Sequence, residues 1–282
     1  MATAVDPALL GDVNGLRMTA DEGMKLLAPL AGAGLYTAYG GASVALLDAA
    51  TFVLATGLYA VLRVREGKPA PPTGSPRERT AEGARHLWAH PVLRPLVLAD
   101  GATMLCAGLN GAMLYAVVDD LGRSPAYAGV LYAVQGAGSV AVGLLSGTAL
   151  RRLGAGRCAA FGIALPALAV ALRAVPSDPL TLACSAAIGA GLPAVLIATL
   201  TSVQRETPGP LLGRVTATAN TLVYAPNVAG PATGAALVEL ASHRLVLVAL
   251  GVALLLTAVP LFQRPARAER TVSRSPSDAN PA

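Results

Sequence analysis

A chain of 282 residues that is 54% hydrophobic and 13% charged, with a mean hydropathy of +0.58, has too few charges to coat a soluble globule and too much apolar surface to bury inside one. Its net charge of +5 comes with no basic cluster interleaved with aromatic residues, which excludes a nucleic-acid-binding module. The solvent that fits is a lipid bilayer, which takes about 20 mostly apolar residues per spanning helix.

Eight segments qualify. The first covers roughly residues 16–37 and is preceded by Asp6, Pro7 and Asp12 with no apolar h-region, so no signal peptide is read there. Asp21, Glu22 and Lys25 lie one to two turns into it, with Asp21 and Lys25 sharing a face at i, i+4 spacing. The second segment, 41–62, carries Asp48. The link 63–93 holds Pro69, Pro71, Pro72, Gly74, Ser75 and Pro76 and is expected to be extended, ending in a short surface helix over 80–90 that presents Trp88 to the membrane interface. Segments follow at 94–118 with Asp100 and Asn110, at 126–148 with Gln135, at 157–175 and at 179–203. The last two, 213–238 with Asn220 and Asn227 and 244–262, precede a Ser-, Pro- and Arg-rich tail, 264–282, that reads as disordered.

Ala-, Gly- and Leu-rich content without period-two alternation favours helices over barrel strands, so the expected fold is an all-α polytopic membrane bundle of about eight transmembrane helices. Cys106, Cys158 and Cys184 are isolated and read as packing residues. Sixteen of the 21 Lys and Arg residues fall in links on one side, which places both termini in the cytoplasm by the positive-inside rule.

The chain also repeats itself. Leu9–Leu35 returns 202 positions later as Leu211–Leu237, with LLG-x-V opening both copies and P-x-x-G-A closing both. Each copy leads into a short polar gap and one more apolar segment.

Six spans after a basic link, with the pair before the link echoed by the last pair, resemble the major facilitator superfamily and its two parallel six-helix halves. Asp48-Ala49-Ala50-Thr51-Phe52, His90-Pro91-Val92-Leu93-Arg94, and Gln204-Arg205 followed by Pro208 and Gly213-Arg214-Val215 resemble the branch that contains enterobactin exporters and macrolide efflux pumps. The resemblance implies that residues 1–62 are the last two helices of an N-terminal half. Residues 63–93 would then be the cytoplasmic central loop, 94–263 the six-helix C-terminal half and 264–282 a cytoplasmic tail. These are helices 5–12 of twelve, so an N-terminally truncated chain is expected, and a non-transporting remnant is the competing expectation.

Two family signatures appear in altered form. Of the G-x-x-x-D-R-x-G-R-R latch, Gly147, Arg152 and Gly154 match, whereas Arg151 occupies the acid's place and Ala155-Gly156 replace the arginine pair. The G-P-x-x-G-G element, which lets helices of the two halves approach, is softened at Pro29 and Gly32 and closer at Gly230, Pro231 and Gly234.

A carboxylate in hydrocarbon costs at least a few kcal/mol, so such groups face a partner or an aqueous cavity. Asp21, Glu22, Lys25, Asp100, Asn110, Gln135, Asn220 and Asn227 are the pathway candidates; interhelical pairing is the alternative for each, and Asp48 is assigned a structural role. The resemblance implies a secondary active exporter in the bacterial inner membrane. It would move a small, rather apolar drug- or siderophore-like compound by alternating access, driven by a proton or ion. The expected partners are the lipid bilayer, that substrate and the coupling ion, with no nucleic acid, cofactor or metal. No H-E-x-x-H, G-x-S-x-G, P-loop or G-x-G-x-x-G occurs, and His86, His90 and His243, read as loop residues, form no metal set, which argues against a membrane enzyme.

Overall fold

The computed structural model describes residues 9–61, 76–125 and 127–262, without the side chains of residues 25–34, 36, 37, 59, 76–80, 238 and 239. The expectations for the link before residue 76, for the tail and for the surroundings of Lys25, Pro29 and Gly32 therefore lie outside the described residues.

All regular structure among the described residues is helical: α1 (Leu10–Val61), α2 (Pro76–Ala89), α3 (Leu93–Asp120), α4 (Tyr127–Leu153), α5 (Ala155–Leu172), α6 (Asp178–Glu206), α7 (Gly209–Leu240) and α8 (His243–Phe262). The first two predicted spans are one run, broken inside α1 at Gly40, whose φ of 75° and ψ of 167° suit only a residue without a Cβ. The predicted surface helix starts four residues earlier than expected, and the guanidinium of Arg94 lies 5.7 Å from the centroid of the half-exposed Trp88 ring.

Among the described residues, six helices are long and apolar enough to cross a bilayer: the second arm of α1 over Ala38–Leu58, α3, α4, α5, α6 and α8. The first arm of α1 and α7 are as long but more polar, because their Asn, Asp, Glu and Thr side chains line an internal cavity described below. Large apolar side chains such as Leu144, Leu145, Phe161, Val228 and Leu256 stand on the outside. They would drive aggregation in water and are solvated by acyl chains in a membrane.

Small residues set how closely the helices approach. α6 runs through the middle of the bundle, against α4 and α5, and touches α1, α3 and α7. α3 lies along α7, where Gly108 and Gly230 face each other so closely that a Cβ on either would meet the other's backbone. The Gly230-Pro231-Gly234 element thus packs α7 onto α3, inside the six-helix unit. The approach between α1 and the later helices is made elsewhere, where Gly11 and Gly15 meet Gly143, Ser146 and Gly147 of α4. The second arm of α1 stands apart: its membrane window contains no buried residue, and Asp48 is exposed on it, its carbonyl accepting a 2.7 Å hydrogen bond from Thr51 Oγ1.

Candidate functional site

Ion pairs bind the helix ends. At the end carrying α2, Asp12 in the first turn of α1 pairs with Arg151 at the last turn of α4, and Glu82 of α2 pairs with Arg214 at the start of α7. Asp12 and Arg214 are equivalent positions of the repeat, with opposite charges. Arg151 stands where the latch motif has its acid, and Asp12 supplies the acid from the other side, so an ion pair is made with the charges exchanged. Gly147 leaves room for it, since a Cβ there would fall on the Asp12 carboxylate. Arg152 is exposed, and Gly154, at φ 78°, forms the turn into α5. Both members of the Asp12–Arg151 pair are about half exposed, which limits its worth to about 1 kcal/mol or less. Asp12→Arg is expected to lower the unfolding temperature slightly and Asp12→Arg with Arg151→Asp to recover it, as read by thermal unfolding in detergent.

His86 lies on α2, His243 opens α8, and His90 sits between α2 and α3, so only His90 falls in a link as expected. The backbone N–H groups of Val92 and Leu93 donate to His90 Nδ1 at 3.3 Å, capping α3 with a neutral ring. Burial, and then the nearby His86, hold the His90 pKa below its usual 6.5. The neutral cap is therefore fully effective above about pH 6.5 and weakens as the pH falls below it.

At the opposite end of the bundle, Arg123 pairs with Asp178 at 2.5 Å, and Asp120 accepts a 2.9 Å hydrogen bond from Arg244 Nε and lies 2.8 Å from His243 Nε2. Arg173, near the end of the predicted segment 157–175, is only 3% exposed. Its Nη1 donates to Asn110 Oδ1 at 3.2 Å and its Nη2 to Ser185 Oγ at 2.6 Å, which ties together α3, the end of α5 and α6. Asn110 is thus engaged in this tie and does not line the cavities described next. No local signal in the sequence marks Arg173, because the partners come from two other helices.

Two adjoining cavities, of about 230 Å³ and 630 Å³, open between α1, α3, α4, α6 and α7 and share Met18, Asp21, Leu196 and Tyr224. Asn14, Arg17, Asp100, Thr199 and Asn220 line the smaller one; Glu22, Gln135, Ser139 and Asn227 line the larger. The two repeat copies form facing walls, with equivalent positions taking part on each side: Asn14 and Thr216, Arg17 and Ala219, Met18 and Asn220, Asp21 and Val223, Glu22 and Tyr224. Asp21 pairs with Arg17 one turn back, at 3.8 Å, with both side chains more than half exposed. Asn14 Nδ2 donates to Thr201 Oγ1 at 3.0 Å and to Gln204 Oε1 at 2.8 Å, fixing α1 against α6 below the cavity.

Asp100 is the exceptional group. It is 1% exposed on α3 with both carboxyl oxygens enclosed, and the neighbour that reaches it is Thr199 Oγ1 on the same cavity wall, close enough to interact but short of a complete hydrogen bond. A buried acid usually meets a strong donor or a cation, so one enclosed beside a cavity with only a hydroxyl near it is a place to take up a proton.

A family model described as Major Facilitator Superfamily matches residues 96–281, which include all of the helices from α4 to α8 and most of α3. The chain belongs to the Major Facilitator Superfamily. It is a multi-pass membrane protein of a transporter family, and its central cavity lies where helices of the matched region meet the first arm of α1, which lies outside the match. No curated protein matches the chain.

Proposed function

We propose that this superfamily member is a secondary active exporter of a small, rather apolar compound, driven by a proton or ion gradient through alternating access. The observation that carries the reading is the cavity itself: residues of both repeat copies line it, and the buried acid Asp100 lines it too, with Thr199 beside its carboxyl and no ion pair among the described residues. In this reading Asp100 takes up and releases the coupling proton or ion. Gln135, Asn220 and Asn227 orient the substrate by hydrogen bonds, and Asp21 and Glu22 tune the field. The motifs around Asp48, His90 and Gln204 resemble those of the enterobactin-exporter and macrolide-efflux branch, which supports the exporter reading.

The exporter reading is tested in proteoliposomes with an imposed pH gradient and a labelled panel comprising an apolar cation, a neutral macrolide and a catecholate. Accumulation of at least one, collapsed by a protonophore, is the expected result. If none accumulates, the exporter reading fails and the non-transporting remnant takes its place. That competing reading has one observation in its favour, the second arm of α1, whose membrane window contains no buried residue.

We further propose that the protein sits in the bacterial inner membrane with both termini cytoplasmic, which follows from the distribution of arginines. A cysteine introduced as Ser75→Cys is then expected to react with a membrane-impermeant thiol reagent only after the membrane is opened. Labelling in intact cells would reverse the orientation.

A further inference from the structure

Where α2 meets α3, the chain builds a basic and aromatic edge that transport through the central cavity does not use. The buried side of α2 is fixed by Leu87, which is fully buried, and by Gly83, where a Cβ would meet the backbone of Arg214. At about 100° per residue, Arg85 and Trp88 then share a flank turned away from the bundle, and both are exposed. The chain turns at His90 and enters α3, where Arg94 stands in the first turn with its guanidinium 5.7 Å from the centroid of the Trp88 ring. Leu98, one turn further along α3, is exposed as well. Because α3 is a membrane span that begins at Leu93, the guanidinium and the indole sit where hydrocarbon gives way to headgroups, and Leu98 lies one turn deeper.

The charges at this edge do not balance. Of the carboxylates described on and beside α2, Glu82 is paired with Arg214, and Glu206 lies 3.9 Å from His90 Nε2. Arg85 and Arg94 meet no carboxylate among the described residues. Two exposed guanidiniums beside an indole, with a leucine one turn deeper, match a molecule that joins a negative head to an apolar tail. A free phosphate would leave Trp88 and Leu98 unused. A zwitterionic lipid brings its own cationic group, which the arginines repel, whereas a headgroup with net negative charge keeps the full attraction.

We propose that this edge binds an anionic phospholipid, with Arg85 and Arg94 holding the headgroup phosphate and Trp88 and Leu98 lying along the glycerol and the first methylenes of one chain. The site is on the outside of the bundle and does not depend on the exporter reading.

Trp88 is the only tryptophan in the chain, so its fluorescence reports on this edge alone. The full chain is reconstituted in phosphatidylcholine vesicles in which a rising fraction of the lipid is replaced by brominated phosphatidylglycerol or, in parallel, by brominated phosphatidylcholine; bromine quenches an indole that it touches. Brominated phosphatidylglycerol is expected to quench more strongly at equal mole fraction, corresponding to a relative affinity of about fivefold or more. Arg85→Gln combined with Arg94→Gln is expected to bring that ratio to about one, while quenching by brominated phosphatidylcholine persists and shows Trp88 still at the interface. Arg152→Gln combined with Arg157→Gln removes two exposed charges from the same end of the bundle and is expected to leave the ratio unchanged. Equal quenching by the two lipids, or an equal loss of preference in both double variants, would overturn the proposal, the latter by showing a diffuse surface charge in place of a site. Loss of the preference on adding inorganic phosphate at constant ionic strength would overturn it as well, by showing a site for a small anion.

Discussion

Asp100→Asn is expected to reduce gradient-driven transport about a hundredfold or more while leaving the protein folded. Asp100 is 1% exposed on α3 and lines the smaller cavity between the repeat copies, its carboxyl enclosed beside Thr199 without a complete hydrogen bond. An amide has the same shape and cannot exchange a proton, so the step that links ion entry to the conformational cycle is lost. The magnitude follows from what a positioned proton-transfer group contributes elsewhere, about 10²–10⁴ in rate. The companion variant Asp100→Leu gives a sharper test. Leaving a buried polar group without a partner costs about 1–3 kcal/mol, so an apolar replacement is expected to raise the unfolding temperature while it too stops transport. Uptake into proteoliposomes and thermal unfolding in detergent, measured on the same preparations, read the two effects. A purely structural Asp100 would show the reverse pattern, with stability falling and transport kept in the surviving molecules.

Gly189→Leu is expected to break the bundle. Gly189 on α6 lies against the backbone of Gln135 on α4, so that a Cβ at this position would meet the Gln135 carbonyl and Cα, and Ser139 Oγ on α4 donates to the Gly189 carbonyl at 2.9 Å. Backbone cannot swing aside as a side chain can. Relief requires the two helices to separate, at a cost of about 3 kcal/mol, and it would pull Gln135 and Ser139 out of the cavity wall. Gly57→Leu is the control, because nothing lies within 4 Å of a Cβ there. A lower unfolding temperature and a loss of monodispersity are expected for the first variant and not the second. Equal behaviour of the two would show that α4 and α6 do not meet as described.

The helices were legible in the sequence because a bilayer imposes a length of about 20 apolar residues, and that length does not depend on which neighbour each helix meets. The polar groups stood out for a related reason, since Asp100 and Gln135 are costly in hydrocarbon and conspicuous there. Their partners were not legible. Asn110, Gln135 and Asn227 look alike in the sequence, yet Asn110 accepts from Arg173 while the other two line the larger cavity. Arg173 itself did not stand out, because its burial depends on α3 and α6 folding over the end of α5. Asp12 was legible only as a charge near the start of the chain, and its ion pair with Arg151 forms because α1 and α4 meet at Gly11 and Gly147. The repeat marked two related helices without saying that they would face each other. That emerged when Met18 and Asn220, 202 residues apart, were found on one cavity.

The most direct measurement of the central claim, that the repeat copies wall an aqueous cavity inside the membrane, compares neighbouring residues on α7. Asn227 lines the larger cavity, and Val228, 78% exposed, points out of the bundle toward lipid. In inside-out vesicles, with the buried Cys106, Cys158 and Cys184 replaced by alanine, Asn227→Cys is expected to react with a charged methanethiosulfonate while Val228→Cys stays unlabelled. Reaction at Val228→Cys with Asn227→Cys silent would contradict the account.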